Sequence, residues 1–231
     1  MFSLAKFREA FEKQCEEEVA LFFRTVPHAE HLTDPSTDLD ETYYIRHRVE
    51  TIKRIQMTAR TDALALVALI REHYDLARKW AKYTLQEMNH DLMFLRDLKE
   101  HGYSQEQVVA IAPFEATKHL GIYLENSINT YGPIAAVAYS LFVEWNSDRY
   151  SKKTVEKAMK KYSSKHTAGA KAHVHFDEDQ DHYQLIVEIA YRLIENDGHA
   201  RQLFQITKDI SALFRAYFTE LYHHTIAQQS L

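Results

Sequence analysis

The stretch His173-Val174-His175-Phe176-Asp177-Glu178-Asp179-Gln180-Asp181-His182 decides how the chain is read. His175, Asp179 and His182 stand four and three residues apart; on a helix that spacing puts all three on one face, over two turns. The apolar positions that follow, Leu185, Ile186, Ile189, Ala190 and Leu193, keep a helical period and predict one helix from about Lys171 to Glu195. In that register His173, two residues before His175, points about 200° away. Two imidazoles and a carboxylate on one stripe suit a divalent transition metal. In an apolar core they cost free energy unless a partner offsets their desolvation. The competing reading is a solvated face whose charges pair at the surface.

At 231 residues the chain is long enough to bury a sizeable core, and a single domain spanning 1–231 is expected. With only 5 Gly and 4 Pro, and few β-branched runs, the composition favours an all-α protein. A net charge of −5 gives no electrostatic case for nucleic acid. Cys15 is the only cysteine, which excludes an intrachain disulfide and any cysteine-based zinc or iron–sulfur site. The first ten residues carry charges where a signal peptide needs an apolar run. The longest apolar stretch, Pro133 to Val143, is too short to span a bilayer. The expectation is a soluble cytoplasmic protein without a membrane partner.

Helices are expected from about Leu4 to Arg24, from a capping box at Asp38 and Glu41 to about Ala59, and from Thr61 to His101 as one or two pieces. Gly102 sits where a C-terminal cap belongs, Ser104 and Gln107 form the next capping box, and Gly132-Pro133 restarts a helix through Glu144. Asn196-Asp197-Gly198 separates the last two helices. The lysines between Lys152 and Lys165 read as a solvated face or as an attractor of an anionic substrate.

Further candidate ligands lie at helical spacing. Glu87 and His90 form a Glu-x-x-His pair, one turn apart, of the kind that di-iron bundles project inward. Glu144 ends a run, Ala135 to Val143, that should be buried almost all round, so its carboxylate wants a cation or a hydrogen-bond network. Glu50 has two readings, a surface pair with Arg46 or Lys53, or a fourth carboxylate ligand. As a ligand it would join Glu87, Glu144 and Asp179 in four negative charges, which two divalent ions neutralise.

In order, Glu87-x-x-His90, Glu144 and His175-x3-Asp179-x2-His182 resemble the heme-oxygenase-like di-iron oxidase and oxygenase superfamily. That family includes an alkene-forming fatty-acid decarboxylase and the chlamydial protein associating with death domains. The resemblance covers roughly residues 40 to 190 and implies a seven- to eight-helix bundle with metal between its core helices. Implied with it are two Fe(II) ions, O2 as co-substrate, and the ligand set Glu50, Glu87, His90, Glu144, His175, Asp179 and His182, with Glu50 replaced in some members. The implied activity is oxidation of a small organic substrate, with a free amino acid preferred, by N-oxygenation, C–C cleavage or nitrile formation. The implied partner is that small molecule, and a homodimer is allowed.

Two rivals remain. A thiaminase-like hydrolase would use a mid-chain Cys, whereas Cys15 is near the start. A ferritin-like iron-storage protein needs a second Glu-x-x-His, and Glu220-x-x-His223 is the candidate. A helical interaction protein without catalysis is the non-enzymatic reading. Asp91, Asp177 and Asp181 are candidates to hold the ligands in place, and Tyr83, Phe94, Tyr139, Phe142 and Phe176 to line a pocket.

Overall fold

Ser3 starts the first helix: its hydroxyl accepts from the Lys6 N–H at 3.3 Å, satisfying one of the amides that a helix leaves open. The computed structural model describes residues 3–230, and of residues 176–180 and 230 the backbone alone. Helix α1 (Leu4–Thr25) buries Phe7, Phe11 and Cys15. The turns that follow end at Asp40, whose carboxylate accepts from Tyr43 N at 2.8 Å and caps α2 (Glu41–Glu72). The cap therefore lies two residues beyond the expected Asp38. Two of the clustered lysines hold this connection: Lys157 Nζ donates to the carbonyl of His31 and the hydroxyl of Thr37, and Lys161 Nζ to the carbonyl of Leu39.

α2 passes through Ala59 without a break and ends at His73, because Thr58, Thr61, Asp62, Ala65 and Leu69 continue its buried stripe. It is followed by α3 (Tyr74–Glu87), α4 (His90–Glu100) and α5 (Gln105–Ala110). Ser104 and Gln107 make the expected capping box, and Gly102 supplies the left-handed turn before it at φ 89°. α6 (Glu115–Tyr131) ends at Gly132, and Pro133 opens α7 (Ile134–Asn146). A π-helical turn (Ser147–Ser151) joins α7 to α8 (Lys152–Lys161).

The single helix expected from Lys171 to Glu195 is two, α9 (Ala168–Gln180) and α10 (His182–Leu193). Asp181 breaks it in the left-handed region, at φ 47°, a conformation that Asp tolerates because its short carboxylate bonds locally. Here it accepts from Gln184 N at 3.3 Å and so caps α10. α11 (Asp197–His224) starts at Asn196, whose side chain accepts from His199 N. Taken across the short breaks at 88–89, 147–151 and 181, the described residues form eight rods and no strand. The protein is all-α, and no helix is long and apolar enough to cross a membrane.

α7 is the centre of the core. Each residue from Ile134 to Phe142 is buried, with α6, α10 and α11 packed round it. Fully burying a side chain such as Leu141 or Phe142 stabilises by about 2 kcal/mol, which lets the same helix carry one carboxylate, Glu144, inward. α9 is pinned to α4 by Asp97, whose oxygens accept from Gly169 N at 2.7 Å and Ala170 N at 2.8 Å. Gly169 makes that approach possible, since a Cβ there would collide with the Met93 carbonyl.

Candidate metal centre

Glu87 is the last residue of α3 and His90 the first of α4, so the turn at Met88 and Asn89 sets both at a helix boundary. Glu87 Oε2 lies 3.0 Å from His90 Nδ1, and Glu87 Oε1 lies 3.0 Å from His182 Nδ1. His182 is the first residue of α10, so the break at Asp181 aims it. Its Nε2 is 3.2 Å from Gln86 Oε1. From α7, Glu144 Oε1 accepts from Tyr83 OH at 2.7 Å. From α9, the His173 ring lies 4.2 Å from that of His90 and 5.2 Å from that of Phe94, centre to centre.

Two groups of potential ligands result, Glu87 with His90 and His173, and Glu87 with Glu144 and His182; within each group one ligand atom per residue lies within 4.8 Å of the others. Glu87 belongs to both, one oxygen toward each side. His90, His182 and Glu144 are buried. The donors are nitrogen and oxygen with no thiolate, which suits Fe or Mn more than a thiophilic ion.

Burial alone would push the Glu87 carboxyl up, but hydrogen bonds from His182 and His90 outweigh it and hold Glu87 below the usual carboxylate range. Nearby on α2, Asp62 goes the other way: burial, and then the charge of Glu87, push it up to about 8. Its Oδ1 is buried without a partner among the described residues. Burial raises Tyr83 as well, with the Glu144 charge second. In both, burial is the main cause and the charge of a neighbouring carboxylate the second.

Of the residues singled out from sequence, Glu87, His90, Glu144 and His182 are brought together. His175 is exposed and is not among the groups gathered there. Asp179, like Asp177 and Phe176, has its side chain outside the described residues. On α9 it is His173, rather than the expected His175, whose ring packs against α4 among the described residues. The signal for it was Gly169-Ala170, four and three residues earlier, small residues that mark the face of close approach.

Glu50 is not among the clustered ligands: it pairs with Arg46 Nη2 at 2.7 Å, one of the two partners expected, but inside the bundle and not at its surface. It also accepts from Phe114 N at 3.1 Å and Thr117 Oγ1 at 2.5 Å, so it serves the open N-terminus of α6. Glu220 serves the same terminus, accepting from Glu115 N and Ala116 N at 3.1 and 2.9 Å, while His223 is exposed. That removes the second Glu-x-x-His of a ferritin-like site. Asp91 accepts from Gln56 and Asp181 caps α10, both away from ligand-holding roles. Asp62 escaped notice because it is polar; its place on the Thr58–Leu69 stripe was its signal.

A cavity of about 300 Å³ opens beside the cluster, with Glu87 and His173 in its wall. Phe94, Tyr139 and Phe142 line it, as do Ser147, Tyr150 and Ser151 of the π-helical turn. Such turns often occur where a helix must re-aim side chains at a site.

No protein-family model and no curated protein sequence matches the chain. Solved structures do. A domain of unknown function with a heme oxygenase-like fold from Shewanella denitrificans superposes with a TM-score of 0.79 at 17% identity, over 97% of this chain and 94% of that one. A TenA homologue from Pseudomonas syringae gives 0.76 at 14% identity, over 94% and 93%. A TenA homologue from Pyrococcus furiosus gives 0.67 at 15% identity, over 91% and 98%. At these identities the likeness is one of fold: the chain is a heme-oxygenase-like helical bundle.

Proposed function

We propose that the protein is a non-heme di-iron oxidase or oxygenase that uses O2 to oxidise a small organic acid. The observation that carries this is Glu87, whose two oxygens face two separate ligand groups across one half-buried carboxylate. The donor set fits the metal: imidazole and carboxylate without sulfur, and beside it Asp62, whose carboxyl burial, then the Glu87 charge, push up to about 8, so that a cation would favour its ionised form. Glu87, His90 and His173 would hold one ion, and Glu87, Glu144 and His182 the other. Asp179 stays in the set on its sequence spacing alone, and Asp62 takes the place in the charge balance first given to Glu50.

Two Fe(II) ions there would supply the electrons with which O2 is activated. The chain's own residues do the rest. Tyr83 fixes the Glu144 carboxylate through its hydroxyl, and Asp97 with Gly169 sets the position of His173. Phe94, Tyr139 and Phe142 exclude water from the side where substrate enters the cavity. A free amino acid is the substrate expected from sequence. A thiol-nucleophile hydrolysis is disfavoured, because Cys15 is buried on α1 and burial pushes its thiol up.

Anaerobic loading with Fe(II), then O2 with an amino-acid library, tests the reading. A transient visible absorption that decays faster with one substrate supports it. Slow conversion to a ferric product whatever is added contradicts it and favours storage.

A further inference from the structure

One face of α2 forms a wall of the cavity with His47, Arg48, Thr51, Arg54 and Ile55. Arg48 and Arg54 are 6% and 8% exposed, far more enclosed than a guanidinium tolerates without an anion. Neither forms an ion pair with any described residue. Arg48 packs on rings, with Cζ 5.1 Å from the centre of Tyr44 and 5.0 Å from that of Phe94. It lies near enough to Asp97 for its charge to offset part of the rise that burial gives that carboxyl, but forms no ion pair with it, and its Nε is buried without a partner among the described residues. Arg54 lies 4.3 Å over Tyr217, gives Nη2 to Thr51 Oγ1 at 3.2 Å, and leaves Nη1 unpartnered.

The nearby carboxylates are engaged elsewhere. Glu18, also in the cavity wall, accepts from Arg215 at 2.6 Å. Glu87 faces His90 and His182, Asp97 takes two backbone N–H groups, and Glu50 takes Arg46. His47, bonded through Nδ1 to Tyr217 OH at 2.7 Å, adds no competing acid; burial, then the charges of Arg48 and Arg54, hold it well below the usual imidazole range. Two cations therefore face a cavity whose remaining wall is mostly apolar, including Val19, Phe22, Phe142 and Phe214. The end of that cavity at His173 is one ring away from Arg48, through Phe94.

We infer that Arg48 and Arg54 form a carboxylate-binding subsite for an acid with an apolar body, separate from the metal ligands. The planar fork of each guanidinium matches a carboxylate, and the apolar wall takes the aliphatic or aromatic remainder. Among the described residues no lysine lines the cavity to favour a phosphate instead. As a statement about substrate this rests on the oxidase reading, where it narrows the amino-acid expectation to those with apolar side chains. As a statement about binding it does not need the metal.

The test uses the metal-free full chain, with octanoate, octan-1-ol and inorganic phosphate as probes in calorimetric titrations. Octanoate should bind at least about tenfold tighter than octan-1-ol, the value of a charge-assisted hydrogen bond. Arg48→Met and Arg54→Met should each erase about tenfold of that preference and leave octan-1-ol binding unchanged. Each should also melt at the same temperature or higher without ligand, since an unpaired buried charge is gone. If a Met variant does not fold, the Lys variant keeps the charge, loses the fork and should still lose the preference. The inference is overturned if octanoate and octan-1-ol bind alike, if the preference survives both substitutions, or if phosphate displaces octanoate at equal concentration. It is also overturned if octanoate binds only after Fe(II) is added, a result that would leave the oxidase reading standing. Failure to take up iron with octanoate binding intact would do the opposite.

Discussion

Glu50 and Glu87 are both inward-facing carboxylates at a junction of three helices, yet their surroundings differ in kind. Glu50 meets a guanidinium, a backbone N–H and a hydroxyl, all built into the chain, so its charge is satisfied with nothing added. Glu87 meets two imidazoles, one of which, His182, also faces a second carboxylate, Glu144, and burial, then the Glu87 charge, push nearby Asp62 up to about 8. Permanent donors mark a structural carboxylate; imidazoles and competing acids mark one that waits for a cation. Burial alone does not tell the two apart.

The contrast can be broken by exchanging what each carboxylate lacks. The largest effect is expected at Glu87: Glu87→Gln should lower O2-dependent turnover by at least about a thousandfold, because one substitution takes the carboxylate charge from both groups and an oxygen donor from one. Steady-state oxygen uptake reads this, and turnover within tenfold of the native protein would place the chemistry elsewhere. Next is Glu50→Gln. It strands Arg46 and the α6 terminus and should cost about 3 kcal/mol of unfolding free energy in urea, with iron uptake unchanged. A change in iron uptake instead of stability would reverse the assignment of the two sites.

The α9 histidines sharpen the same comparison. His173→Ala should weaken iron binding by about 10- to 100-fold, whereas His175→Ala, at an exposed position, should change it little. Equal losses in a competitive chelator titration would mean that both rings reach the metal. The smallest effect is a pH dependence at a site satisfied from within, like that of Glu50. His31 Nε2 accepts from Asp40 N at 2.8 Å, and burial, then the Lys157 charge, lower its pKa from 6.5 to about 4. The unfolded chain therefore takes up this proton first. The contribution of His31 is fully present above pH about 6.5 and is lost as pH falls through about 4, by about 1 kcal/mol or less after solvent screening. His31→Gln, which keeps an acceptor without titrating, should flatten that part of the stability profile.

What could be read from the sequence was local. The all-apolar α7 with Glu144, the Ser104–Gln107 capping box and the Gly132-Pro133 junction each follow from a few neighbouring residues, and the structure has them. Pairing Glu87 with His90 needed only one turn of spacing, although the chain meets it as a break between helices. Missing were features set by tertiary contacts. Asp181 lies inside a stretch that the sequence period reads as one helix but adopts a left-handed turn, which re-aims His182 and uncouples it from the α9 register. His173 turns inward because Asp97 and Gly169 dock α9 on α4, a constraint that spacing within α9 does not contain. Glu50 sits at the right place for a ligand in the family it resembles, and only the position of α6 shows which partners it has.

The central claim is that Glu87 joins two ligand groups into one two-metal centre. Anaerobic titration of the metal-free chain with Fe(II), followed by iron analysis and melting curves, tests it most directly. About two ions per chain should bind, in keeping with the two groups that share Glu87, and should raise the melting temperature of the native protein but not that of Glu87→Gln. No saturable uptake, or the same uptake and the same melting shift in Glu87→Gln, would contradict it.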